Sequence, residues 1–267
     1  MNTEPKAIKT ESFTMKYFSF GKGKKTFIML PGLSIKSVML SAPLIAQSYQ
    51  MFNEDYTIYI FDIKEDVNKE YRIEEMAEDL AEAVNTLGLK DLYVLGASMG
   101  AMIGMSFAIK YPNLVKKLFV ASSSSCPKED SEGCIDKWIE LAQENCIENL
   151  CLNMGERIYT EEVFEQNKEA FIIMAKSVNE EERQKFINLT KGIKSFDVRK
   201  QLEHIKCPVL VVGAKDDKVF KDGASQKIVE CIKRKEGVEL YMYETGGHAV
   251  YDFALDYKQR IIEFFNK

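Results

Sequence analysis

The chain has 267 residues, of which 46% are hydrophobic and 29% are charged. That balance is typical of a folded globular protein and excludes a disordered or collagen-like chain, and the length corresponds to one large domain or to one domain with an insertion. Asp and Glu number 41 against 36 Lys and Arg, so the net charge of −5 argues against a protein that binds duplex nucleic acid.

The N-terminal residues contain no apolar segment of the kind that forms a signal peptide. We therefore expect a cytoplasmic protein whose six cysteines are reduced thiols. If the protein were exported instead, the four cysteines from Cys126 to Cys151 would be candidates for pairing. None of the six lies in a CxxC pair or has a histidine at zinc-ligand spacing, so the sequence predicts no metal site.

Short runs of β-branched and aromatic residues recur along the chain and predict strands. Their nearly continuous apolar character is typical of strands that are covered on both faces. An N-terminal segment, residues 13–20, is predicted to add a hairpin strand. The other predicted strands are residues 26–30, 57–62, 92–96, 117–121, 208–213 and 239–243.

The segments between these strands place apolar residues three and four positions apart, as amphipathic helices do. Strands that alternate with helices predict an α/β fold with a mostly parallel, doubly wound sheet and helices on both faces. The predicted helices are residues 73–87, which end at Gly88, residues 98–111, which stop before Pro112, and residues 222–232 and 252–265.

The alternation stops between residues 122 and 205. Only helical segments are predicted there, at residues 135–152, 161–176 and 180–191. A strand-free segment of this length between two strands indicates an insertion over one edge of the sheet. We expect residues 1–122 and 205–267 to form the core and residues 123–204 to form the helical insertion.

An uncharged segment, residues 92–109, approaches the length that crosses a bilayer. Its many Gly, Ala and Ser residues make it only moderately apolar, and the chain has no second segment like it. We interpret it as a buried strand that turns into a buried helix, and we expect no association with a membrane.

Gly96, Ser98 and Gly100 lie where this strand meets this helix. A serine on a sharp strand-to-helix turn has an uncommon backbone conformation, and side chains two positions before and after it would collide with the neighbouring strand and helix. The two glycines remove that collision. The N-terminus of the helix would stabilise negative charge that develops beside Ser98. The pattern predicts that Ser98 is a nucleophile.

A serine nucleophile requires a base, and the chain contains only two histidines. His204 precedes a predicted strand. His248 follows one, at the carboxyl edge where ligands bind in open parallel sheets. We therefore predict that His248 is the base.

The base in turn requires a carboxylate that holds its tautomer. Asp216 and Asp217 follow the predicted strand 208–213, and we favour Asp216, with Asp217 as a solvated turn residue. The chain order is then Ser98, Asp216, His248, as expected when the nucleophile lies on such a turn. The position after strand 117–121 offers no carboxylate before Glu129.

The predicted strand 26–30 ends in the turn Pro31-Gly32. Glycine lets the backbone approach a substrate closely there. The N–H groups of Leu33 and of Met99, which directly follows the nucleophile, are the predicted donors to an oxyanion.

These motifs resemble the α/β-hydrolase superfamily, in the family order and over nearly the whole chain. Two positions depart from the family pattern: Pro31 stands where many members have a histidine, and residues 63–66 stand where many have a Gly-rich turn. Both lie near the pocket mouth, so the substrate of a close relative is not transferred. The matching motifs are Leu30-Pro31-Gly32, Gly96-Ala97-Ser98-Met99-Gly100, Gly213-Ala214-Lys215-Asp216 and Gly247-His248.

The resemblance implies that residues 123–204 are a helical cap whose underside shapes the substrate pocket. It implies a serine hydrolase that cleaves an ester or a related carbonyl bond of a small molecule through an acyl-enzyme, without a metal or organic cofactor. The candidate pocket residues are Ser34, Trp138, Met154, Phe171 and Met174.

Other functions remain open. A C–C bond hydrolase, a thioesterase or an acyltransferase would use the same triad, and a non-catalytic ligand-binding protein would use the same fold. A dehalogenase is disfavoured because that chemistry in this fold uses an aspartate in place of Ser98. A dinucleotide oxidoreductase is disfavoured because no acidic residue follows Gly100 at the end of the next strand.

Overall fold

The computed structural model describes residues 3–67 and 69–267. The strands are β1 (Lys6–Lys9), β2 (Thr14–Gly21), β3 (Lys25–Leu30), β4 (Tyr56–Phe61), β5 (Leu92–Ala97), β6 (Val115–Ala121), β7 (Val209–Ala214) and β8 (Val238–Tyr243). The α-helices are α1 (Ala42–Ser48), α2 (Ile73–Thr86), α3 (Met99–Lys110), α4 (Pro127–Asp130), α5 (Cys134–Gln143), α6 (Ile147–Ile158), α7 (Glu161–Lys176), α8 (Glu180–Ser195), α9 (Ala224–Ile232), α10 (Val250–Phe253) and α11 (Tyr257–Asn266). Short 3-10 helices lie at Val38–Ser41, Gln50–Phe52 and Leu202–His204.

The eight strands form one sheet in the order β1-β2-β4-β3-β5-β6-β7-β8. Strands β3 to β8 are parallel to one another, whereas β1 pairs antiparallel with β2 and β2 pairs antiparallel with β4. The predicted α/β fold with a mostly parallel sheet is confirmed, and the six strands predicted after residues 13–20 agree with β3 to β8 to within two residues at each end.

Alternate residues of the central strands contribute to two hydrophobic cores, one on each face of the sheet. In β5, Leu92 and Val94 join the core formed with α2 and α3, while Leu95 and Ala97 join the core formed with α1 and α11. Covering both faces explains the uncharged segment 92–109, which is β5 followed by the nearly fully buried α3. Across the residues described, no helix combines the length and the apolar character that a bilayer crossing requires.

The chain between β6 and β7 forms helices α4 to α8 and no strand, all within the described residues. The single helix predicted at residues 135–152 is two helices. The break contains Asn145, whose φ of 59° is left-handed and incompatible with a continuing α-helix. Asparagine adopts that conformation more readily than most residues, so α5 ends there and α6 starts in a new direction.

Candidate active site

Ser98 connects β5 to α3 in a conformation that few residues adopt, with φ 53° and ψ −117°. Its N–H donates to the Ala121 carbonyl of β6 at 2.9 Å, and its own carbonyl accepts from the N–H groups of Ala101 and Met102 at 3.0 and 3.2 Å. The buried hydroxyl of Ser123 donates to the same carbonyl at 3.0 Å. These bonds keep Ser98 in a strained backbone conformation that costs about 1–3 kcal/mol.

Two glycines make this turn sterically possible. A β-carbon at Gly96 would lie 2.4 Å from the carbonyl oxygen of Gly100, and a β-carbon at Gly100 would lie 1.9 Å from the carbonyl oxygen of Leu30. Both contacts are with backbone, which cannot rotate away as a side chain can. The turn around Ser98 therefore requires glycine at both positions.

We expect Gly100→Ala to lower the free energy of unfolding by at least about 3 kcal/mol, because β3 and α3 must separate to admit the methyl group. Gly104→Ala is the matched control on the same helix. The contacts of its β-carbon would be with side-chain ends, the nearest being that of Leu118 at 3.1 Å, and alanine favours a helix over glycine by about 1 kcal/mol. Urea denaturation of both variants measures the difference, and equal losses would contradict the steric explanation.

His248 lies in the loop after β8, with its side chain only 3% exposed. Its Nδ1 is 2.8 Å from Oδ2 of Asp217, and its ring packs edge-on against Phe220 with 5.5 Å between the centroids. The other histidine, His204, ends the short 3-10 helix before β7, at the opposite end of the sheet's parallel strands. The structure therefore places His248, and not His204, at the edge that carries Ser98.

The carboxylate that meets the imidazole is Asp217, so the prediction that Asp216 does so is wrong. Oδ1 of Asp217 accepts hydrogen bonds from the N–H groups of Val219 at 2.7 Å and Phe220 at 3.0 Å. These two bonds fix the carboxylate and turn Oδ2 toward His248. With a carboxylate as acceptor, Nδ1 carries the proton and Nε2 is left as the basic nitrogen.

Asp216 has a different structural role: it joins the loop after β7 to the loop after β8. Its Oδ1 accepts from the N–H of Gly247 at 2.9 Å, and its Oδ2 accepts from the N–H of Gly246 at 3.1 Å. Gly246 has φ 140° and Gly247 has φ 64°, values that favour glycine. Asp216 thus fastens the backbone that carries His248, while Asp217 orients the ring.

The turn predicted to bind an oxyanion faces the serine. A β-carbon at Gly32 would lie 3.3 Å from Cβ and 4.0 Å from Oγ of Ser98. Met99 is the first residue of α3, so its N–H has no acceptor within the helix. Leu33 follows Gly32 and packs its side chain on the core. The structure therefore brings this turn, Ser98 and the start of α3 together.

A cavity of about 510 Å³ lies beside this turn and is lined by Gly32 and Met99. Two of the predicted pocket residues, Ser34 and Met174, also line it. The side chains of Ser98 and His248 do not, and within the described part of the chain no hydrogen bond joins them.

The other three predicted pocket residues are not part of this lining, and they hold the inserted helices together instead. Trp138 donates its Nε1–H to Oδ1 of Asn153 at 3.0 Å, which joins α5 to α6. Phe171 packs against Phe164 at 6.0 Å between centroids, and Met154 is buried in the core. The sequence identified these residues as apolar but did not show what they pack against.

The inserted helices also contact the loop of His248. The carbonyl of Ile158, at the end of α6, accepts from the N–H of Ala249 at 2.9 Å. The guanidinium of Arg157 donates to the Lys218 carbonyl at 3.4 Å, beside the loop of Asp217. The end of α6 therefore rests on both loops that supply the ring and its carboxylate.

All six cysteines are free, and burial raises the pKa of several of their thiols, to about 12 at Cys134. Across residues 3–67 and 69–267, no three His, Cys, Asp or Glu side chains are grouped so that they could hold a metal ion.

Comparison with known proteins connects this chain to a family. Residues 48–252 match the family model of the serine aminopeptidases, S33. The putative carbamate hydrolase RutD of Agrobacterium fabrum strain C58 is 25% identical over 190 residues, which cover 69% of this chain and 70% of that protein.

Two solved structures share the fold. MGS-M2, an alpha/beta hydrolase enzyme from a Medee basin deep-sea metagenome library, superposes with a TM-score of 0.85 at 20% identity and covers 98% of both chains. The enol-lactonase from Burkholderia xenovorans LB400 superposes with a TM-score of 0.82 at 14% identity, covering 98% of this chain and 100% of that one. With the family match over more than half of its length, the chain belongs to the serine aminopeptidase S33 family of the α/β-hydrolase superfamily and is a hydrolase of that type.

Proposed function

We propose that this protein is a serine hydrolase that cleaves an ester or a related carbonyl bond of a small molecule through an acyl-enzyme on Ser98. The observation that carries the proposal is the 2.8 Å hydrogen bond between His248 and Asp217, at the sheet edge where the strained Ser98 lies. An imidazole that is held at Nδ1 by a carboxylate presents Nε2 as its basic nitrogen.

The proposed reaction has two steps. His248 accepts the Ser98 proton while Oγ attacks the carbonyl carbon, and the N–H groups of Leu33 and Met99 stabilise the oxyanion of the tetrahedral intermediate. Protonated His248 then donates to the leaving group, and a water molecule releases the acyl group by the same sequence. Asp217 stabilises the imidazolium in both steps. The hydrogen bond between a catalytic serine and its histidine is often long or poorly aligned before substrate binds. The separation of Ser98 and His248 is therefore compatible with this mechanism.

The large cavity favours an apolar acyl group. Its volume of about 510 Å³ is that of a small-molecule site. Carbamates and lactones, the compounds named for the relatives, react at an acyl carbon bonded to nitrogen or oxygen, which supports the same chemistry here. Most of the lining of the large cavity is apolar and includes Leu30, Phe61, Met76, Leu80, Ile103, Met174 and Leu189.

We propose that residues 123–204 are a cap on a core formed by residues 1–122 and 205–267. Met174 of α7 and Leu189 of α8 line the large cavity, so these helices form part of its wall. The contact of α6 with Ala249 adds a second role, because it braces the loop of the proposed base.

Partitioning of the product tests the acyl-enzyme. With methanol in the buffer, we expect the p-nitrophenyl and phenyl esters of one acid to give the same ratio of methyl ester to free acid, because both pass through one acyl-Ser98. A ratio that changes with the leaving group contradicts a common intermediate. The same assay with the corresponding thioester and a diketone separates an esterase from a thioesterase and a C–C bond hydrolase.

A further inference from the structure

A second cavity, of about 150 Å³, shares the Pro31-Gly32 turn with the large one. Ala97, which directly precedes Ser98, also lines it. The small cavity therefore lies next to the reacting position. Its volume is that of about five water molecules, so it admits a group of only a few non-hydrogen atoms.

The polar lining of the small cavity consists of one carboxylate and three phenols, those of Asp252, Tyr49, Tyr251 and Tyr257. They come from the end of α1, from α10 and from the start of α11. The remaining side chains are apolar, among them Met29, Ile45, Ile60 and Leu95.

Two of these polar groups lack a partner. Tyr257 is 0% exposed, and its hydroxyl forms no hydrogen bond with any residue that the structure describes. The Asp252 carboxylate forms no ion pair or hydrogen bond within residues 3–67 and 69–267. Asp252 is exposed at the cavity mouth, yet the surrounding protein raises its pKa to about 6 by desolvation, only partly offset by Lys258. A buried hydroxyl without a partner is costly, so Tyr257 indicates that a polar group occupies the cavity. The neighbouring Asp252 carboxylate, which is ionised near neutral pH and then only accepts hydrogen bonds, favours a group that donates them.

The neighbouring cation does not supply that partner. Lys258 donates to Oγ of Ser48 at 2.6 Å and lies over the ring of Tyr49, 5.2 Å from its centroid. An anionic ligand would be repelled by Asp252, and a purely apolar one would leave the buried Tyr257 hydroxyl without a partner.

We infer that the small cavity binds an ammonium group, and that the substrate is an ester of a short amino alcohol with an apolar acid. Asp252 neutralises the cation, the phenol faces stabilise it, and its N–H donates to the carboxylate or to the Tyr257 hydroxyl. The inference rests on the proposed function, because it places the amine relative to an acyl carbon bound at Ser98. The acyl chain then occupies the large cavity.

A pair of esters of equal shape tests this subsite. The 2-(dimethylamino)ethyl ester and the 3-methylbutyl ester of hexanoic acid differ by a protonated nitrogen in place of a carbon. Near pH 7.5 Asp252 is ionised, because its pKa is about 6. The measured quantity is the ratio of kcat/KM for the two esters. Their intrinsic reactivities cancel when this ratio is compared between wild type and variant.

We expect Asp252→Asn to lower this ratio by about 10- to 100-fold, the value of one charge-assisted hydrogen bond. Tyr257→Phe removes a hydroxyl that bonds no described residue, so the variant should fold, and it should lower the ratio by about 3- to 10-fold. Asp256→Asn is the matched control: Asp256 bonds Tyr243 and Arg260, outside the cavity, and the ratio should not change.

Equal ratios in the wild type and Asp252→Asn would overturn the subsite and leave the hydrolase intact. Failure of the wild type to hydrolyse either ester would also overturn it. Labelling of Ser98 by a fluorophosphonate would then show whether the proposed serine chemistry survives.

Discussion

Ser98→Ala is expected to lower kcat for p-nitrophenyl esters by about 10⁵-fold or more, because it removes the atom that attacks the carbonyl carbon. Alanine keeps the β-carbon and therefore keeps the backbone strain at φ 53°, so the melting temperature should change by only a few degrees. A fluorophosphonate probe should label the wild type and not the variant. Measuring turnover, labelling and thermal melting together distinguishes loss of the nucleophile from unfolding of the protein.

Ser123→Ala is the informative comparison for that experiment. Ser123 is buried, and its hydroxyl donates to the carbonyl of Ser98, so it positions the turn but is not the attacking group. This variant should still be labelled, at a lower rate. Equal labelling of wild type and Ser98→Ala would contradict the assignment of the nucleophile.

The general position of the site could be predicted from sequence, because it depends on local patterns. A strand-to-helix turn flanked by glycines and a histidine after a late strand are visible without coordinates. The choice between Asp216 and Asp217 cannot be made from the sequence, because the side chains of adjacent residues point in different directions. That choice is made by the turn after β7, in which the N–H of Asp217 approaches the Ala214 carbonyl at 3.4 Å and its carboxylate binds two further N–H groups.

The elements missed by the sequence reading are short. Strand β1 has four residues, of which only Ile8 is buried, so no alternation is visible. Helix α1 has seven residues, although the proline in its first turn, Pro43, is a signal that could have revealed it. The small cavity was not predicted either, because Tyr49 and Asp252 come from segments that are distant in the chain and form no motif.

Asp217→Asn is expected to lower kcat by about 10³- to 10⁴-fold with little change in stability. Oδ1 of Asp217 accepts from two backbone N–H groups, those of Val219 and Phe220, so an asparagine would keep its carbonyl oxygen there. Its NH₂ group would then face Nδ1 of His248 and donate to it. The imidazole would carry its proton on Nε2 and could not accept the proton of Ser98.

Asp216→Asn is the matched control for that prediction, and the contrast between the two neighbours decides which aspartate serves the base. In this variant one of the two bonds to Gly246 and Gly247 is lost, since the amide NH₂ would oppose a backbone N–H. The loop of His248 loosens, but the tautomer of the ring is unchanged. We expect a fall in kcat of about tenfold and a lower melting temperature, because a lost backbone contact is worth about 1–2 kcal/mol. A larger loss of kcat in Asp216→Asn than in Asp217→Asn would assign the ring to Asp216 after all.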